Sequence, residues 1–321
     1  MKTISVVTKP IINTISEFIE ILKSVENINL YDYSAITDMS FLFLDHEETI
    51  PDLTILDTSN VINMDSMFKN SSFNQNISNW DVSNVINMDS MFNNSPFNQP
   101  LNNWDVSNVK YLSGIFHNSP FNQPLNNWDV SNVVEMTSIF AYSPFNQNIN
   151  NWDVSNVTMT CFMFLNTPFN QPLNNWDVSS VADMESMFHN TPFNQPLDNW
   201  DVSSVTVMRW MFYNANFFNQ DISKWDVSSV LNMESMFRNS LFNHPLDNWD
   251  VSNVRDIQFI FYNTPFNQPL NNWNVSNVTD TSLAFHNTPF NQPLNNWNTY
   301  YITDMCHMFQ IFVHHLFYQY Y

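Results

Sequence analysis

Phe97-Asn98-Gln99-Pro100-Leu101-Asn102-Asn103-Trp104-Asp105-Val106-Ser107-Asn108-Val109, continued by Lys110-Tyr111-Leu112-Ser113-Gly114-Ile115-Phe116-His117-Asn118, is the fullest copy of a recurring unit. Its tryptophan marks the period. Trp80, Trp104, Trp128, Trp152, Trp176 and Trp200 are 24 residues apart, one 25-residue step reaches Trp225, and Trp249, Trp273 and Trp297 resume the count. Leu56 and Tyr31 occupy the same column in degenerate copies, which makes about twelve units. Self-similarity at a fixed period of this size indicates stacked repeats rather than a globule, with each unit burying its apolar face against its neighbours.

Within the unit, Trp104-x-Val106 alternates as a short strand with one face inward. Val109, Leu112, Ile115 and Phe116 then recur at the spacing of a short helix with one buried stripe. Asn118, Asn94 and Asn190 stand where a helix needs a left-handed terminal residue, and Ser119-Pro120 or Thr191-Pro192 forbids continuation. The expected fold is therefore an α/β repeat solenoid, leucine-rich-repeat-like, with about twelve repeats. Parallel strands would line its concave face and short helices its convex face. Parallel strands at ~4.8 Å against helices at ~8–10 Å would curve the array. Residues 1–28 read as an N-terminal helical cap, with an amphipathic helix over 14–26 opened by Thr14 and Glu17. Residues 29–310 form the array and 311–321 a C-terminal cap.

Composition narrows the function. The chain has 321 residues, a net charge of −21 and only nine Lys and Arg, so it lacks the basic footprint of a nucleic-acid binder. Cations or a basic protein partner suit that field better. Apolar residues at 44% and aromatics at 16% suffice for a continuous core. No apolar run is long enough to span a membrane, and the first residues lack a secretory pattern, so an intracellular protein is expected. Cys161 and Cys306 lie in one column six units apart, roughly 29 Å at strand spacing, and should be free thiols. A single glycine, Gly114, leaves no room for phosphate-cradling loops, and no catalytic fingerprint is present.

The repeated Phe-Asn-Gln-Pro-Leu-Asn-Asn-Trp-Asp-Val-Ser-Asn-Val, followed by Met-x-Ser-Met-Phe at Met88 to Phe92, Met184 to Phe188 and Met233 to Phe237, resembles the BspA-like surface-protein repeats. These are leucine-rich-repeat-like repeats of mycoplasma, other bacterial surface proteins and giant DNA viruses. The resemblance covers roughly residues 50–310. It implies a solenoid for protein interaction or adhesion and no catalytic residues. Lacking a secretion signal and a lipid-attachment cysteine, the chain looks more like a giant-virus intracellular member, placed in the host cytoplasm.

Two surfaces are candidates for partner contact. The first is the acid after each tryptophan: Asp81, Asp105, Asp129, Asp153, Asp177 and Asp201, with Asp32, Asp57, Asp226 and Asp250 in the same column. These side chains point away from the core, and neighbours ~4.8 Å apart repel by roughly 0.9 kcal/mol even in water. Either cations or a basic partner offset them, or neighbouring Ser, Asn and backbone N–H groups do. The second surface is a double period of large residues, Phe162/Leu165, Trp210/Tyr213 and Phe259/Tyr262, alternating with Ser186/His189 and Ser235/Arg238. Those pairs are interface anchors, or bulky side chains folded over small neighbours.

Histidines 117, 189 and 286 share one column but stand several units apart, too far to share an ion. Cys306, His307, His314 and His315 match no standard zinc spacing. The sequence calls for no metal and no cofactor. It reads as a non-catalytic protein-interaction scaffold, with a cation- or carbohydrate-binding adhesion module using the acidic face as the alternative.

Overall fold

The computed structural model describes residues 9–12, 14, 17, 18, 21 and 31–309. Packing divides the chain into two units, Met1–Gln171 and Pro172–Tyr321. Most of the expected N-terminal cap and all of 311–321 lie outside the described residues. Of the former, Thr14 Oγ1 accepts the Glu17 N–H at 3.2 Å, as a helix N-cap does. Phe18 behind it is fully buried, edge-on to Tyr33 at 4.9 Å.

The α/β architecture is overturned: among the described residues helix is confined to Glu17, Phe18 and Ile21, and parallel pairing to isolated single-residue bridges. Each repeat is instead a coil of turns. In the unit Met1–Gln171 the N–H groups of Met64, Ser66, Phe68 and Asn70 donate to the carbonyls of Asn87, Asp89, Met91 and Asn93 in the next coil, at 2.8–2.9 Å. The intervening Met67, Lys69 and Ser71 donate three residues back, at 3.2 Å. Half the amides thus close tight turns and half staple coil to coil.

Backbone handedness is what separates the two sets. Ser66 and Asn70 have φ of 53° and 55°, and the same two columns are left-handed in later coils, as at Ser90 and Asn94. A left-handed residue every fourth position breaks any helix. It also turns alternate peptides along the stacking direction. The expected helix failed because an α-helix spends its N–H groups internally and needs ~8–10 Å to its neighbour. These coils repeat more closely: the rings of Phe68, Phe92 and Phe116 follow one another at 5.8 and 5.9 Å. The apolar stripe Val109, Leu112, Ile115 and Phe116 is fully buried as its spacing suggested, but on turns.

Nor is Trp-x-Val a strand. It is an extended link between two turns, closed by Trp104 N–H to Leu101 O and Val109 N–H to Val106 O. The bridge column falls two residues after the second valine, through Asn63, Asn87, Tyr111 and Glu135. Side chains replace the missing ladder. The indole N–H of Trp128 donates to Leu101 O at 2.9 Å, and that of Trp152 to Leu125 O at 3.0 Å. Asn108 Nδ2 reaches Ser83 O at 2.7 Å. Tryptophan suits this column because its ring fills the core while its N–H donates to the preceding coil.

Two phenylalanine columns complete the core. Phe116 and Phe121 stack at 3.7 Å within a coil, as do Phe261 and Phe266 at 3.8 Å in the unit Pro172–Tyr321. The Asn-Gln pairs staple the outer corner: Asn122 N–H donates to Asn98 Oδ1 and Gln123 Nε2 to Asn98 O. Neither cysteine forms a disulfide; Cys161 is buried and Cys306 exposed.

Candidate functional site

From Asp81 to Asp250 the acid column is exposed, with its tryptophans buried behind it. In each coil from Asp81 to Asp201 the serine two residues on binds the acid. Asp81 Oδ1 accepts both the Ser83 N–H at 3.0 Å and the Ser83 hydroxyl at 2.6 Å. Asp105, Asp129, Asp153, Asp177 and Asp201 repeat the pair with Ser107, Ser131, Ser155, Ser179 and Ser203. These bonds, the hydroxyl's first, hold the carboxyls of Asp81 and Asp201 below the ordinary carboxylate value. The column closes a turn in every coil, and one oxygen of each carboxylate is already engaged.

The varied strip of turns in the unit Pro172–Tyr321 carries the larger side chains. Trp210 and Phe259 take the left-handed position, with φ of 58° and 55°, where alternate coils have Ser186 and Ser235. The serines are 1% exposed, as a large–small alternation requires, while Trp210, Tyr213, Phe259 and Tyr262 are half-buried. Two arginines lock these rings: Arg209, overlooked in the sequence, and Arg238, read there only as the partner of Ser235 in the alternation. Arg209 pairs with Glu185 at 2.8 Å and lies 5.0 Å from the Trp210 ring, whose N–H reaches Glu234 Oε1 at 3.2 Å. The Arg238 guanidinium carbon sits 4.5, 4.6 and 5.2 Å from the rings of Phe259, Tyr262 and Tyr213. His189 against Tyr213 at 4.5 Å and Tyr262 against His286 at 4.9 Å extend the column both ways. The signal that could have found it was the scarcity of cations: three of nine are arginines, all in this unit.

In the unit Met1–Gln171 the two residues expected on the equivalent strip, Phe162 and Leu165, are half-buried, with Phe162 also left-handed at 59°. An open groove of about 820 Å³ lies elsewhere in this unit, its lining including Ile62, Ile86, Asn84, Asn108 and Lys110. Its amides are spent on the coil before: Asn84 Nδ2 donates to Ser59 O. The groove's lining also holds the Ser34 and Thr37 hydroxyls and contains no carboxylate or imidazole. Among the described residues no three His, Cys, Asp or Glu side chains gather as metal ligands. His314 and His315 fall outside that set.

Two titrating groups are displaced. Burial pushes the Asp89 carboxyl up to about 6, helped by Asp65 and Glu135 and opposed by the Ser113 N–H at 2.6 Å. Burial pulls His189 down to about 4. Asp89 is raised, so its contribution is full below about 4 and is lost as pH climbs through 6. His189 is lowered, so its contribution is present above about 6.5 and is lost as pH falls toward 4. The two groups tilt the pH dependence of their own units in opposite directions. Asp89→Asn keeps the acceptor for Ser113, and is expected to add about 1–2 kcal/mol of stability at pH 7.5. Urea unfolding at pH 5 and 7.5 checks this: a variant no more stable at the higher pH rules out a strained carboxylate.

No helix among the described residues is long and apolar enough to cross a membrane. The chain matches none of the curated proteins and none of the solved structures compared with it. A family model matches it five times in overlapping stretches, over residues 13–120, 93–192, 141–243, 189–289 and 239–315, and so covers the whole repeat region. That model is described as Mycoplasma protein of unknown function, DUF285, and the chain belongs to this family.

Proposed function

We propose that the chain is a non-catalytic scaffold that binds a protein partner through the turn strip of the unit Pro172–Tyr321. The observation that carries this reading is the backbone at Trp210 and Phe259, φ 58° and 55°. Side chains other than glycine, asparagine or aspartate cost about 1–2 kcal/mol there. Serine occupies the same column in alternate coils, so the fold tolerates a small residue at that point. Strained bulky residues persist where the surroundings over-determine them, and such places concentrate at functional sites. Trp, Tyr and Arg are also the residue types that dominate interface energetics.

Membership in a repeat family of unknown function supports a scaffold without specifying its partner. Kinship with the BspA-like repeats and an intracellular location belong to the same proposal. The acid column is the weaker surface, because the serines already engage it.

Proximity labelling in the native cell would identify partners, and their affinities would then be measured against two variants. Trp210→Ala/Tyr213→Ala should weaken binding at least tenfold, as loss of two interface anchors does. Asp105→Asn/Asp129→Asn/Asp153→Asn should leave it nearly unchanged. The reverse order would move the contact to the acid column, and indifference to both would defeat both surfaces. The adhesion alternative predicts a melting temperature that rises with calcium; a flat titration removes its ion-binding form.

A further inference from the structure

We propose that Arg238, held by Tyr213, Phe259 and Tyr262, is a receptor for a single carboxylate presented by the partner. The inference rests on the scaffold reading and names the chemistry recognised at that strip. A guanidinium offers five donors in a rigid fork matched to a carboxylate. In a chain with 30 Asp and Glu, the Arg238 guanidinium has no carboxylate and no hydrogen-bond acceptor among the described residues. Its Nε is buried without a partner, while the residue as a whole is only half-buried. The three rings at 4.5–5.2 Å hold the side chain in place, so little rotamer entropy remains to be lost on binding.

Arg209 shows what this strip does with an arginine when an acid is near: it pairs with Glu185 at 2.8 Å and stacks on Trp210. Arg238 has the stacking half of that arrangement without the acid half. The surroundings also select the ligand's charge. Glu234 stands four residues earlier in the same coil, and the whole chain carries −21, so each additional negative charge on a ligand is repelled. A lone carboxylate among neutral or basic residues fits; a polyacidic segment does not. This refines the expectation of a basic partner: the field draws a basic segment in, and Arg238 reads one acid within it.

The chain has three arginines, so [¹⁵N]arginine labelling gives three Nε signals, with Arg238 assigned by its loss in Arg238→Lys. The probes are acetyl-Lys-Lys-Glu-Lys-Lys-amide and the same peptide with Gln in place of Glu. The glutamate peptide should shift the Arg238 Nε signal and resolve its Nη signals as their rotation is arrested, and the glutamine peptide should do neither. Arg238→Lys should bind the glutamate peptide about tenfold more weakly and lose the Glu/Gln discrimination, because an ammonium cannot form the bidentate pair. Equal responses to both peptides, or none at Arg238, would overturn the carboxylate site. If Arg238 is silent while Trp210→Ala/Tyr213→Ala still weakens the native partner, the carboxylate inference alone falls. If Arg238 responds while that variant binds normally, the scaffold reading of the strip falls and the carboxylate site stands.

Discussion

Replacing Trp273 with alanine lowers the unfolding free energy by about 3–5 kcal/mol. The side chain is 1% exposed, stacks on Trp297 at 6.3 Å and tilts against Phe261 at 6.2 Å. Its indole N–H donates to Leu246 O at 2.8 Å, in the coil before. Removing the ring opens a cavity that neighbouring coils cannot close, because their backbones are stapled to one another on either side. Leu246 O retains the Trp249 N–H at 3.0 Å, so the lost indole bond leaves that carbonyl partly satisfied. Trp273→Phe separates the two contributions, and it should cost only about 1–2 kcal/mol for the lost bond and the smaller ring. Urea unfolding of the full chain gives the midpoints. A phenylalanine variant as unstable as the alanine variant would show that the hydrogen bond, and not the packing, is the main contribution.

Asn94→Val is expected to cost about 2–4 kcal/mol, for two separable reasons. Asn94 has φ of 55°, a conformation that a β-branched side chain resists. Its amide also sits in a ladder, donating to Asn70 Oδ1 at 2.8 Å and accepting from Asn118 Nδ2 at 2.7 Å. Asn94→Gly relieves the backbone and loses only the ladder, so it should fall between the wild type and valine. A glycine variant as unstable as valine would place the whole effect in the amides. One matching the wild type would show that the ladder contributes nothing.

Some of this architecture was legible and some was not, for reasons that particular residues expose. Trp104, Val106, Val109 and Phe116 announced their burial through the period alone. Asn118 announced a left-handed residue, which its φ of 50° bears out, although what it ends is a turn and not the expected helix. The second left-handed column was not read, although Gly114, the only glycine, falls in it at 64° between Ser90 and Ser138. Bulky Trp210 and Phe259 in that column hid it, since neither is a turn former. Without that column, a stripe recurring every three or four residues is indistinguishable from an amphipathic helix. Phe97 and Phe121, the second aromatic column, were similarly overlooked within the Asn-Gln-Pro corner, and both are fully buried.

The candidate surfaces divide the same way. That the acid of Trp-Asp-Val faces solvent follows from the alternation of side chains along an extended link. That Ser83 satisfies Asp81 was one of two open readings, and only the placed hydroxyl at 2.6 Å chose between them.

By itself, the sequence determined the repeat, its register and the burial of Trp104, Val106, Val109 and the apolar stripe after them, because periodic apolar residues have to be shielded from water whatever the backbone does. Tertiary structure alone decided the conformation of each coil. A backbone N–H can bond within its own turn or to the coil beside it, and that choice depends on a neighbour one repeat away rather than on local propensity. It likewise decided that Arg238 lies among three rings contributed by the coils on either side of it.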